Sequence, residues 1–257
     1  MKTRIVTSVL SVVPVFLIGI AAGAQAPSPL PSPERTAASR QVAARYGKLP
    51  LSFEPNRGQT DPRVQFVSRG AGYTIFLSPT SATFALQRGA GTGRPTVSGQ
   101  PPSAAESAVV RMDLLGANPD IAIEPQDKLP GIANYLAAST RAKWPTNLPT
   151  YAKTRSPNVY PGIDLIYYGT QGQLEYDFVL TPLADPASIR LRFSGATPVA
   201  DGSGDLVLAL ATDDGQNDIR FHKPVLYQQV QGIRRPVNGK FTVAANHDVG
   251  FQVGAYD

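Results

Sequence analysis

Beyond Leu49 the apolar residues recur at every second position in short stretches, each cut off by Gly, Pro, Asn or Asp. That period belongs to half-buried β-strands separated by turns. It predicts strands at 64–68, 73–77, 82–86 and 109–115, the first three as a meander turned by Gly70-Ala71-Gly72 and Ser78-Pro79-Thr80. Ile121 with Ile123, and Asn134-Tyr135-Leu136, predict two further short strands. In the C-terminal half, Ile189, Leu191 and Phe193 alternate with Arg190 and Arg192, and Leu206, Leu208 and Leu210 alternate after the Asp201–Asp205 turn. Strands at 225–230, 241–244 and 249–253 complete the set.

The strongest local signal is a hairpin between Ile163 and Phe178. With Gly169-Thr170-Gln171-Gly172 as its loop, one face collects Ile163, Leu165, Tyr167, Leu174, Tyr176 and Phe178. The other collects Asp164, Ile166, Tyr168, Gln173, Glu175 and Asp177. A slip of one residue would mix the two sets, so the alternation fixes which face is buried. This register sets Asp164 opposite Asp177.

The pattern therefore predicts an all-β fold, an antiparallel β-sandwich-like domain over residues 49–257, or two packed sandwiches over 49–147 and 148–257. Ahead of it, residues 25–48 form a Pro/Ser/Ala-rich linker with a short N-terminal helix on Ala38, Val42 and Tyr46, stopped by Gly47. Residues 1–24 have the makeup of a signal peptide: Lys2 and Arg4, then an apolar run to Ile20, then Ala22-Gly23-Ala24 for cleavage. Pro14, Ser8 and Ser11 interrupt the run, and no basic cluster follows it, so it reads as a cleaved signal and not a stable transmembrane anchor. The expected location is outside the cytoplasm, in the periplasm, at the cell surface or in the medium.

Composition narrows the chemistry. An exported chain without Cys has no disulfide and no thiolate metal site, and no cofactor is expected. Loss of Lys2 and Arg4 with the signal lowers the formal charge of +5 by two, and the remaining Lys and Arg are scattered, so nucleic acid is not an expected partner. The densest basic group, Arg234, Arg235 and Lys240, flanks Pro236 and Asn238-Gly239 and reads as a solvated hairpin tip. Gly89-Ala90-Gly91-Thr92-Gly93 resembles a phosphate loop only superficially, because prolines and no helix follow it. No Gly-x-Ser-x-Gly elbow occurs, and His222 and His247 do not have metal-ligand spacing.

The candidate ligand-facing residues are Trp144, Asp164, Glu175 and Asp177. Trp144 is either a core plug or a sugar-stacking surface. The three acids allow a glycosidase pair, a Ca²⁺ site, or plain ion pairing with Arg190, Arg192, Lys153 or Arg155, and ion pairing is the expected role. Asp201–Asp205 and Asp213-Asp214-Gly215 read as turns and not calcium loops.

Four blocks carry a resemblance: Leu51-Ser52-Phe53-Glu54-Pro55-Asn56-Arg57-Gly58-Gln59, Tyr160-Pro161-Gly162-Ile163-Asp164-Leu165-Ile166-Tyr167-Tyr168-Gly169, Leu174-Glu175-Tyr176-Asp177-Phe178 and His222-Lys223-Pro224-Val225-Leu226-Tyr227-Gln228. Together they resemble the N-terminal domain of bacterial SBBP-repeat proteins, exported surface proteins in which this domain precedes β-propeller repeats. The resemblance implies no catalytic residue. It leads us to expect a non-catalytic surface, adhesion or scaffold module whose partner is a cell-surface protein or a glycan. A carbohydrate-binding or carbohydrate-hydrolysing β-sandwich is the alternative.

Overall fold

The computed structural model describes residues 2–9, 51–70, 72–87, 107–135, 145–170, 173–210 and 218–255. The apolar run after Val9, the linker and its helix, the Gly-rich loop, Trp144 and Asp213-Asp214-Gly215 lie outside them.

The first strand is Lys2–Val9 (β1). A meander follows, made of Phe53–Pro55 (β2), Phe66–Gly70 (β3), Tyr73–Ser78 (β4), Ser81–Gln87 (β5) and Ser107–Leu114 (β6). Glu124–Ala133 (β7), the long Leu148–Tyr160 (β8), Ile163–Thr170 (β9) and Gln173–Leu180 (β10) form the middle of the chain. The rest is Leu191–Ser194 (β11), Ala196–Ala200 (β12), Leu206–Leu210 (β13), Ile219–Phe221 (β14), Val225–Val230 (β15), Ile233–Val237 (β16), Gly239–Val243 (β17) and Val249–Val253 (β18). A single 3₁₀ turn, Pro186–Ser188, is the helical element among the described residues.

All the strand pairings are antiparallel, and they join into one sheet. β8 organises it. One edge of β8 carries β7, and the other carries β2 at Tyr151 and then β9 from Lys153 to Tyr160. Two arms leave that shared edge: β2, β3, β4, β5, β6, β11, β18 and β17 in one, and β9, β10, β1, β14, β13 and β12 in the other. Their far ends meet where β12 approaches β17, so the sheet is barrel-like and nearly closed. The sandwich expected from the sequence is thus one continuous sheet, and it includes strands from both sides of Asn147. Alternation predicts strands with one buried face, but it carries no information on whether two such faces belong to one sheet or two.

One apolar cluster fills the interior. Aromatic rings cross it from arm to arm: Phe221 of β14 meets Phe84 of β5 at 6.4 Å and Phe193 of β11 at 5.6 Å, while Phe178 of β10 meets Phe251 of β18 at 6.0 Å. Edge-on ring pairs at these separations favour the aromatic quadrupole and fix the spacing of the two walls.

The β9–β10 hairpin sorts its faces as the alternation predicts. Ile163, Leu165, Tyr167, Leu174, Tyr176 and Phe178 are buried in the core. The register is two residues tighter than expected, because Thr170 pairs with Gln173 and leaves only Gln171 and Gly172 between the strands. A two-residue slip preserves the faces but changes every partner. Asp164 therefore lies opposite Val179, and Asp177 opposite Ile166. The expected Asp164–Asp177 juxtaposition does not form.

Pairing of β8 with β9 shows why the Tyr160-Pro161-Gly162 block is spelled as it is. Tyr160 pairs with Ile163 across the Pro161-Gly162 turn, where Gly162 has φ +72°, as a type II turn requires. Ile121 and Ile123 are not in a strand. They are buried, and the Gln65 side chain takes the place of a ladder rung, its Nε2 donating to the Ile121 carbonyl and its Oε1 accepting from the Ile123 N–H. Asn134 and Tyr135 likewise form no strand; Tyr135 N–H donates to the Pro145 carbonyl.

Candidate functional site

The outward face of β9, β10, β1, β15 and β16 frames a cleft of about 750 Å³. β1 forms its floor. Thr3 to Val9 pair with β10 from Leu180 to Leu174, and Lys2 to Val6 pair with β15 from Gln229 to Val225. The front of the stretch read as an export signal is thus a strand inside the sheet. β15 turns into β16 through Gln231-Gly232, both with positive φ, which is the backbone of a type I′ hairpin.

Alternation then decides which side chains reach the cleft. Tyr168, Glu175, Asp177, Tyr227 and Arg234 all line it, together with Arg4 from β1 and Lys153 from β8. Asp177 is 4 % exposed, an unusual position for a carboxylate. The Tyr168 hydroxyl donates to its Oδ1 at 2.8 Å, and Arg4 Nη1 lies 3.5 Å from Oδ2. Burial raises the Asp177 pKa, opposed by the Tyr168 hydrogen bond and by the positive charges of Arg4 and Arg234. Burial also raises that of Tyr168, reinforced by the charges of Asp177 and Glu175. Across the cleft, the Arg234 guanidinium stacks on the Tyr227 ring at 4.6 Å.

Of the residues singled out from the sequence, Glu175 and Asp177 share this cleft and Asp164 does not line it. Asp164 instead secures the irregularity in β8 between Ser156 and Tyr160. Its Oδ1 accepts the N–H of Asn158, a residue at φ +47°, and its Oδ2 takes the Arg155 guanidinium at 2.9 and 3.0 Å. Pairing with the preceding strand was one of the expected roles and is the one observed. Arg192 and Lys153 have other partners, Asp248 and Asp127. Among the described residues no three His, Asp or Glu side chains converge where a metal ion could sit.

A family model described as a domain of unknown function, DUF7948, matches residues 53–257. The chain belongs to the DUF7948 family. No curated protein and no solved structure matches it. Among the described residues of this DUF7948 domain, no helix is long and apolar enough to cross a membrane.

The remaining blocks of the DUF7948 domain are largely accounted for by structure. Asn56 holds the loop after β2: its Nδ2 donates to the Asp61 and Val64 carbonyls at 2.8 Å, and its Oδ1 accepts from Gly58 N–H. Glu54 accepts from the Tyr135 hydroxyl at 2.5 Å, and Arg69 lies over that ring. Asp201 closes the turn before β13 by accepting from Ser203 and Asp205 N–H, and Arg220 bridges Asp201 and Asp205. His222 reaches Asp205 at 3.3 Å, at the interruption between β14 and β15.

Sequence reasoning missed Arg4, Tyr227 and Arg234. Arg4 was absorbed into the signal, and Arg234 was assigned to a hairpin tip that is in fact Gln231-Gly232. The available signal was alternation in 225–237, which sets Tyr227 and Arg234 on one face of a hairpin turned at Gly232.

Proposed function

We propose that this DUF7948 domain is a non-catalytic β scaffold of an exported protein, holding a partner polypeptide on the wall formed by β9, β10, β15 and β16. The observation that carries this reading is how the hairpin carboxylates are used. Asp164 stabilises a bulge through Arg155 and Asn158, and Asp177 is bonded to Tyr168 of the neighbouring strand. A glycosidase needs two carboxyl groups facing each other across the space taken by the sugar, whereas these two are fixed to separate structural partners. Tyr227, with Arg234 over its ring and 8 % exposed, offers little face for a sugar to stack on. Export is supported by the basic start, the apolar run and the small residues that end at Ala24.

The test is a glycan array together with chromogenic glycosides, using the purified chain and its Glu175→Gln variant. The expected result is neither retention nor turnover above the level of the variant. Glycan retention or hydrolysis that disappears in Glu175→Gln would overturn the reading in favour of a carbohydrate-active site.

A further inference from the structure

We propose that the place filled by Lys2–Val9 is a strand-acceptor slot, which in the exported, processed protein takes up an extended segment of another polypeptide. The inference rests on the exported-scaffold reading, since it requires the signal to be removed. Among the described residues, β1 is the element that joins β10 to β15 along most of their length, and it is antiparallel to both. Neighbouring strands lie about 4.8 Å apart, so without β1 the two strands face each other across roughly twice that distance, too far to hydrogen-bond. Cleavage after Ala24 would then leave two parallel edges with unpaired N–H and C=O groups, and would uncover Phe178, Leu180, Leu226 and Gln228, all buried here. Exposed edges of this kind are templates for an added strand.

Asp177 specifies the chemistry of the occupant. Among the described residues the cation within ion-pair distance of this buried carboxylate is Arg4, half-exposed on β1 between Val179 and Tyr227. With β1 gone, Asp177 keeps the Tyr168 hydroxyl and the more distant Arg234 charge. A buried carboxylate favours a paired cation. The occupant is therefore a β-strand of about eight residues, antiparallel to β10 and β15, with Arg or Lys at the register position of Arg4.

The experiment begins with the full chain exported from a bacterial host, fractionated and weighed intact. Processing predicts loss of residues 1–24. The processed protein is titrated with a labelled peptide of the Lys2–Val9 sequence and with its Arg4→Glu form, followed by fluorescence anisotropy. Expected are one-to-one binding, weakening of about tenfold or more with the Arg4→Glu peptide, and collapse of that ratio in an Asp177→Asn protein. If the processed form does not hold its β circular dichroism, the same peptides are offered to the folded full chain, nicked at a protease site inserted within 25–34. There, exchange of the leader for the native peptide, and not for Arg4→Glu, is expected. An exported product that keeps residues 1–24 would overturn the slot and leave the scaffold reading standing, whereas retention in the cytoplasm would remove both. The slot is also refuted by a folded protein that binds neither peptide, binds both equally, or only self-associates.

Discussion

Replacing Phe221 by Ala should be among the most damaging single changes in the molecule. Phe221 is fully buried on the three-residue strand β14, where its ring contacts Phe84, Tyr176 and Phe193 at centroid distances of 6.4, 6.3 and 5.6 Å. Two of those partners belong to the opposite arm, so truncation opens a cavity between walls that cannot easily collapse. Phe→Ala at such a site costs about 3–5 kcal/mol, from lost transfer free energy plus the residual cavity. For a domain of this size each kcal/mol is worth about 2–4 °C, so a fall in Tm on the order of 10 °C is expected. Phe221→Leu, which refills part of the space, should lose roughly 1–2 kcal/mol. Leu183→Ala serves as the surface control, since Leu183 is fully exposed and should change stability by less than about 0.5 kcal/mol. Urea unfolding with a shared m-value reads all three. A loss below about 1.5 kcal/mol for Phe221→Ala would refute a single interior spanned by both arms.

Three other outcomes follow from the same structure. Because burial raises the Asp177 pKa, its contribution to stability is fully present below the ordinary carboxylate pKa and is lost as pH rises through the higher folded value. Asp177→Asn should therefore gain in Tm relative to the parent between acid and neutral pH, and a relative loss over that interval would contradict the assigned cause. Burial pushes Tyr73 and Tyr160 up to about 12 and Tyr167 higher, so absorbance at alkaline pH should show these three missing from the ordinary tyrosine step until the chain unfolds. Gly162→Ala combines φ +72° with a Cβ only 2.6 Å from Thr181 Oγ1 and should cost about 1–3 kcal/mol in urea unfolding. Adding Thr181→Ala should recover only the steric part.

The sequence made faces legible but not partners. Period-two alternation sorted the β9–β10 hairpin correctly because burial depends only on parity, and parity survives a two-residue slip. Loop length does not leave so clear a mark, so the Asp164–Asp177 pair inferred from it was lost. β12 escaped notice because Ala196–Ala200 buries only Pro198 and shows no apolar alternation. The exposed β7 is an edge strand interrupted by Pro125, Pro130 and Gly131 and held by its pairing with β8. Half of the cleft was within reach: Glu175 and Asp177 stood out as acids on a strand face. Its basic half was hidden, because Arg4 carries the same charge that a signal peptide needs and no local pattern tells a strand from a leader there.

One nearly closed sheet around one interior is the claim on which the rest depends, and native-state hydrogen exchange across a urea series tests it most directly. The account predicts that the slowest amides of β4 and β5 in one arm, and of β9 and β10 in the other, converge on a single global unfolding free energy. Two separate limits, one for residues 51–135 and another for 145–255, would contradict it.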